Sequence, residues 1–437
     1  MSKVPFNLVI KSVVSSSIGN VLEWYQYTLY AYFATVISTL FFPANNPYVS
    51  MIMTFLAFSI GLAARPIGGI IFGYIGDKFS RKRMLVWTML LMSVPTLFIG
   101  LLPTYAQIGI LAPIFLVVLR IMQGVALGGE FGASCVYLYE SVPQKKRGFF
   151  GCLALTGVGT GLVLGSCTIF IVEMYVSQEA IYAYAWRIPF FISVLGAIIA
   201  FYMRKSLLET EDFIMAKENS TLIANPFMEM LRNHKTKLLH LFAIFFTTQI
   251  SFFIVFIFGK SLMIKFLNYD NHTAGKFNLF TVMSYTVATV IFGYLSDKVN
   301  KKYIILAGTL GILVSAYPFI AVLKAGNAPF VILMFCLLMG VLIGMTEGTL
   351  NPLTAESFPT NIRATSVAFC WNFTSVVFGG SAPIISMWLI ERFNNSVEIV
   401  AYYLMIACTI TALTTLFLIK STKSAVAEVE ATDVGIT

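Results

Sequence analysis

Apolar runs of 18 or more residues recur about twelve times along the chain, and this constrains its fold more than any other feature. They fall at about 16–40, 52–76, 84–102, 108–130, 149–174, 185–203, 238–262, 274–296, 303–323, 328–353, 364–390 and 399–419. A hydrocarbon core about 30 Å thick takes roughly 20 apolar residues as a helix. Lipid offers the backbone no hydrogen-bond partner, so each run must close its bonds internally as an α-helix. The composition agrees: 58% of residues are hydrophobic and 11% are charged, against about 25% charged in soluble domains. The first run is long and eleven more follow, which reads as a span and not as a cleaved signal peptide. The expected fold class is therefore an all-α membrane protein with twelve transmembrane helices.

The runs are arranged twice over. Ile71–Arg83, IFGYIGDKFSRKR, returns as Ile291–Tyr303, IFGYLSDKVNKKY, 220 residues later, with seven of the first twelve positions identical. Glu140-Ser-Val-Pro143 with Arg147 returns as Glu356-Ser-Phe-Pro359 with Arg363, 216 residues later. Two matched turns at nearly one offset indicate an internal duplication. The chain divides into two pseudo-symmetric six-helix halves, 1–203 and 238–437, joined by the one sizeable polar insertion, 204–237.

Charge placement gives orientation. The turns after runs 2, 4, 6 and 8 carry the Lys and Arg residues (Lys78, Arg81, Lys145, Arg204 and Lys298 among them), whereas 43–50 and 103–107 carry none. The positive-inside rule puts both termini and the 204–237 loop in the cytoplasm of a cell inner (plasma) membrane. Because the basic residues are spread between apolar runs, the net charge of +9 does not indicate nucleic acid. Cys135, Cys152, Cys167, Cys336, Cys370 and Cys408 lie within apolar runs, and His234, His240 and His272 are scattered, so no metal site is expected. No nucleophile–base signature or Walker glycine loop is present, so the chain is expected to be neither an enzyme nor dependent on a cofactor.

Polar residues inside the runs carry the functional signal. Asn20, Glu23, Gln26, Tyr27 and Tyr30 make a stripe at spacings of three and four on run 1. Run 2 carries Arg65, and run 4 carries Arg120, Gln123 and Glu130 on one face. Counted at about 1.5 Å per residue, Glu23, Arg65 and Arg120 share one depth, while Glu130 is about 15 Å from Arg120 and cannot pair with it. An isolated charge at that depth costs several kcal/mol, so the three should pair or face an aqueous cavity. The competing reading is an ion cluster that only locks helices together, and for Tyr27 and Tyr30 simple packing. Lys260, near the outer end of run 7, is expected to snorkel to the interface. Gly157, Gly161 and Gly165 give run 5 a small-residue seam, for either static packing or sliding.

Twelve helices in two halves, with G-x-x-x-D-x-x-x-[RK]-[RK] after runs 2 and 8, resemble the major facilitator superfamily. GNVLEWYQY (19–27), ARPIGGIIFGYIGD (64–77), LRIMQGVALGGEFG (119–132), WRIPFF (186–191), ESFPTNIRATS (356–366) and WNFTSVVFGGSAP (371–383) are similar to its metabolite:proton symporter branch; FFPANNP (41–47) and IGLLPTYAQIGILAP (99–113) most resemble its proline/betaine transporters, with citrate, 2-oxoglutarate and shikimate carriers as relatives. The resemblance implies a monomeric secondary transporter that imports a small carboxylate or zwitterion with protons by alternating access. The alternatives are proton-antiport efflux or uncoupled exchange, and, in a different class, a membrane sensor. It implies a central site of Glu23, Gln26, Tyr27, Tyr30, Arg65, Arg120 and Gln123. It implies a gating set of Asp77, Arg81, Glu140, Arg147, Asp297, Glu356 and Arg363, with Glu140–Arg147 and Glu356–Arg363 as inner-gate pairs. Gln26 stands where the branch usually has Asp, which leaves Glu23 as the proton carrier of run 1, with Glu130 and Glu347 next.

Overall fold

The computed structural model describes residues 6–78, 81–140, 146–205, 226–358 and 360–418, and every regular element among them is helical. Twelve long helices follow the apolar runs. In the first half, α1 is Phe6–Tyr32 continued by Ala34–Phe41, α2 is Pro47–Ala63 continued by Arg65–Lys78, α3 is Arg81–Leu101, α4 is Leu111–Glu140, α5 is Arg147–Tyr175 and α6 is Ile188–Lys205. In the second, α7 is Lys235–Phe252 with Phe253–Phe258 and Gly259–Leu267, α8 is Asn271–Leu295, α9 is Lys301–Ala325 and α10 is Pro329–Glu356. Next, α11 is Thr360–Thr374 with Ser375–Gly380 and Ala382–Arg392, and α12 is Ile399–Leu418. Nine described stretches are long and apolar enough to span a membrane, Trp87–Leu101 and Ala185–Ile199 are shorter ones, and α1 completes the twelve.

Several helices outrun their apolar runs. The run at 108–130 becomes Leu111–Glu140, and 238–262 becomes Lys235–Leu267. Hydropathy marks only the length that lipid covers, whereas helical bonds are local and continue into water. Large apolar side chains such as Trp87, Val314 and Phe417 point outward, exposed where lipid would cover them.

The duplication is legible in the packing. Helix α2 lies on α4 in the first half and α8 on α10 in the second; likewise α3 on α4 and α9 on α10, α3 on α6 and α9 on α12. The closest of these approaches depend on glycine, as expected where lipid leaves no hydrophobic drive between helices and close packing must supply the attraction. A Cβ on Gly128 would overlap the carbonyl of Arg65, and one on Gly344 would press on the carbonyl of Tyr285. Gly128 and Gly344 are 216 apart, Arg65 and Tyr285 are 220 apart: the two offsets of the repeated turns reappear as one contact made twice. Gly161 and Gly165 on α5 sit against α1 of their own half, so this part of the seam is static packing.

Across the halves, α5 packs on α8, α2 and α4 on α11, and α1 on α7. The helices at this seam are irregular. Helix α1 breaks at Phe33, and α7 enters a π-helical turn at Phe253, again 220 residues later; α11 has another at Ser375–Gly380. Such turns re-aim side chains and recur at functional sites. Here the Phe253 ring packs on Phe58 of α2 at 6.1 Å between centroids, and the Gly380 carbonyl accepts from Ser59 of α2.

Gly128→Val and Gly344→Val are each expected to destabilise the protein by at least about 1–3 kcal/mol through overpacking. A melting temperature unchanged in either variant would contradict the shared seam.

Candidate functional site

Arg65 opens the second part of α2, directly after the break at Ala64, and is fully buried. Its neighbours in charge are Glu23 and Tyr27 of α1, and its guanidinium carbon lies 5.8 Å from the Trp24 ring centroid. None of its three guanidinium nitrogens has a hydrogen-bond partner among the described residues. This is costly: a buried donor left unmade loses its water without replacement, and charge raises the cost.

Arg120 of α4 is equally buried, and one of its three guanidinium nitrogens makes a hydrogen bond among the described residues. Its Nη1 donates to Gln123 Oε1 at 2.7 Å. Its guanidinium carbon sits 4.3 Å from the Tyr27 ring centroid, 4.4 Å from Tyr30 and 5.1 Å from Phe58. Both tyrosine hydroxyls turn to the α2 backbone: Tyr27 donates to the Phe58 carbonyl at 3.4 Å and Tyr30 to the Thr54 carbonyl at 2.9 Å. The rings therefore offer Arg120 their faces, while their polar ends lock α1 to α2.

Gln123 passes the network on. Its Nε2 donates to Thr96 Oγ1 of α3 at 2.6 Å, Thr96 lies 3.4 Å from Gln26 Oε1, and Gln26 Nε2 donates to Ser93 Oγ at 3.3 Å. Gln26, in the position of the branch's Asp, thus stitches α1 to α3. Of the seven residues expected at the centre, Glu23 and Arg65 form one group and Gln26, Tyr27, Tyr30, Arg120 and Gln123 a second, with Tyr27 common to both.

The facing half supplies Glu347, named above after Glu23 as a proton candidate, and a partner for it. Glu347 of α10 is buried and accepts from the Tyr285 hydroxyl of α8 at 2.6 Å. Tyr285 packs on Phe252 and Phe256 of α7, and Phe252 meets Trp24 at 5.6 Å. Tyr285, the partner of Glu347, was not among the expected residues. Ser93, Thr96 and Phe58 carried no sign of their own, because small hydroxyls and single phenylalanines are ordinary in membrane helices.

Contacts between the halves lie at both ends of the bundle, above and below this centre. At the end that carries the termini, Asp297 after α8 accepts from the backbone N–H groups of Gly148 and Phe149, at 2.6 and 2.9 Å, where α5 begins. A carboxylate at a helix N-terminus meets both the unbonded N–H groups and the positive end of the helix dipole. At the opposite end, Lys260 Nζ is 2.7 Å from Glu173 Oε1 of α5, with the two side chains 4% and 5% exposed. Lys260 therefore does not snorkel. Helix α7 continues to Leu267, placing Lys260 about two turns inside it, and the buried carboxylate across the seam neutralises it. Tyr48 donates to Asn395 Oδ1 at 2.7 Å and Asn271 to Gln178 Oε1 at 2.6 Å at the same end.

The other gating residues fall unevenly. Arg147 opens α5, beside the Asp297 contact. Glu356 is held by Lys301 at 2.8 Å, inside the second half. The side chains of Asp77, Arg81, Glu130, Glu140 and Arg363 lie outside the described residues.

Comparison with known proteins decides the family. The model of the Major Facilitator Superfamily matches residues 18–382. The chain belongs to the Major Facilitator Superfamily. It is 30% identical over 419 residues to the glycine betaine/proline/ectoine/pipecolic acid transporter OusA of Dickeya dadantii, covering 93% of this chain and 83% of that one. It is also 30% identical over 418 residues to the shikimate transporter of Escherichia coli, covering 93% and 94%. Among solved structures, the partially occluded inward-open form of the xylose transporter XylE of E. coli superposes with a TM-score of 0.76, covering 95% of this chain and 98% of that one, at 17% identity. This facilitator is a multi-pass membrane transporter and not an enzyme.

Lys260→Met is expected to cost about 3–5 kcal/mol by leaving Glu173 charged and unpaired in a buried place. Adding Glu173→Leu should recover most of that loss. Thermal melting of the single and double variants measures the coupling, and simple additivity would show that the pair does not hold the seam.

Proposed function

We propose that the chain imports a small carboxylate or zwitterionic metabolite together with protons, by rocking of its two halves around Arg65 and Glu23. The observation that supports this most is the guanidinium of Arg65, buried at mid-chain depth with no hydrogen bond made among the described residues. Its planar fork of donors suits a carboxylate held by two charge-assisted bonds. Arg120 already has partners, so the anchor role goes to Arg65.

Glu23 is the proton carrier in this reading. With Arg65 free of ligand, the guanidinium favours the ionised form of Glu23; a bound carboxylate takes up that positive charge and lets Glu23 hold a proton. Proton and substrate then assist each other's binding, as symport requires. Glu347 with Tyr285 is a second protonatable pair, on the opposite half, supported by its burial. Gln26 cannot titrate and serves as scaffold.

The two ends act as gates. The Asp297 contact with α5 closes the end carrying the termini, which we assign to the cytoplasm of the inner membrane, and the Glu173–Lys260 pair closes the outer end. Asp77, Arg81, Glu140, Arg147, Glu356 and Arg363 complete the inner gate, the 204–237 segment links the halves, and one copy of the chain suffices for transport.

In proteoliposomes, Glu23→Gln should abolish accumulation driven by an inward proton gradient while leaving counterflow exchange partly intact. Accumulation by the variant would assign the proton to another group, Glu347 first. A wild type with no proton dependence would make the protein an uncoupled exchanger.

Orientation is tested by single cysteines near Asn46 and Lys217 in intact cells. Labelling from outside is expected near Asn46 only; the reverse pattern would overturn the assignment.

A further inference from the structure

Three aromatic faces converge on one cation in this protein, and the cation is its own. Tyr27, Tyr30 and Phe58 surround the Arg120 guanidinium, all within 5.1 Å of its central carbon and all fully buried. Rings gathered within about 6 Å of a positive centre are also the arrangement that recognises quaternary ammonium groups. A trimethylammonium group cannot share that space, and Arg120 is tied in place by Gln123, which Thr96 holds in turn. The remaining central rings are spent on one another: Trp24, Phe252 and Tyr285 pack edge-to-face in sequence, with Arg65 over Trp24.

We infer that Arg120 permanently fills the aromatic box, so that the site selects organic carboxylates without a quaternary ammonium group over betaine-type zwitterions. The inference rests on the reading of Arg65 as carboxylate anchor and narrows it. A ligand entering beside two buried guanidinium groups gains from negative charge, whereas a fixed positive charge meets repulsion and finds Tyr27, Tyr30 and Phe58 already facing Arg120. OusA and the shikimate transporter are equally similar to this chain in sequence, so the selectivity is argued from this chain's own geometry.

Glycine betaine and 3,3-dimethylbutanoate provide the test. They share shape and carboxylate, and differ in that carbon replaces the ammonium nitrogen. Titration calorimetry on the purified full-length protein is expected to show the isostere binding at least about tenfold tighter, a difference of about 1.4 kcal/mol. Equal or tighter binding of betaine, or no binding of either, would overturn the inference. Arg120→Met, which vacates the box, should narrow the ratio in favour of betaine, and an unchanged ratio in a folded variant would also count against it. Arg65→Gln separates the two levels. Loss of both ligands there with betaine preferred by the wild type sinks only the selectivity, whereas retained binding of the isostere sinks the anchor reading itself.

Discussion

A guanidinium buried in a membrane protein with its hydrogen bonds unmade is the constraint on which the rest of this structure depends. Arg65 is placed by the break between the two parts of α2, and its backbone carbonyl lies under Gly128, so the helix pair that carries it cannot drift. Its charge is balanced from α1 by Glu23, and its flat face lies towards Trp24. A purely structural ion cluster would be built with every donor satisfied, because half-satisfied buried polar groups are the costly ones. Arg120 is held differently: one hydrogen bond to Gln123, which relays to α3, and three rings around its guanidinium. The two arginines thus differ in degree: Arg65 makes no hydrogen bond among the described residues, and Arg120 makes one.

The halves are joined at the two ends of the bundle by different chemistry. One uses a carboxylate on the N–H groups of a helix start, a contact between a side chain and backbone that joins α8 to α5. The other uses a dry ion pair, Glu173–Lys260, whose separation exposes two charges that then need water. Separating either contact leaves charged or polar groups that need water, and the dry ion pair leaves two charges. Both contacts involve α5, and the second lies just beyond the π-helical turn of α7, where the helix has room to change its twist.

Much of this was legible in the sequence, for physical reasons that can be named. Lipid forces apolar runs into helices, so twelve runs became twelve helices. The repeated turns carried two offsets, 220 and 216, and those offsets recur in the paired contacts Gly128–Arg65 and Gly344–Tyr285. Depth counting brought Glu23 and Arg65 together because helical rise is regular. It could not separate Arg65 from Arg120, since that depends on which way Tyr27 and Tyr30 turn their rings, a matter of contact with α2. Lys260 was misjudged because its partner lies on a different helix, 87 residues away, and a reading one helix at a time offers it only the interface. The network through Ser93 and Thr96 was invisible for the same reason.

Counting protons taken up on ligand binding tests the central claim, that Arg65 and Glu23 share one charge between substrate and proton. Titration of a carboxylate into the purified protein, in buffers of different ionisation enthalpy, reads this number directly. About one proton should enter with each carboxylate in the wild type, falling to near zero in Glu23→Gln with binding retained. Binding without proton uptake in the wild type, or uptake unchanged in the variant, would contradict the account.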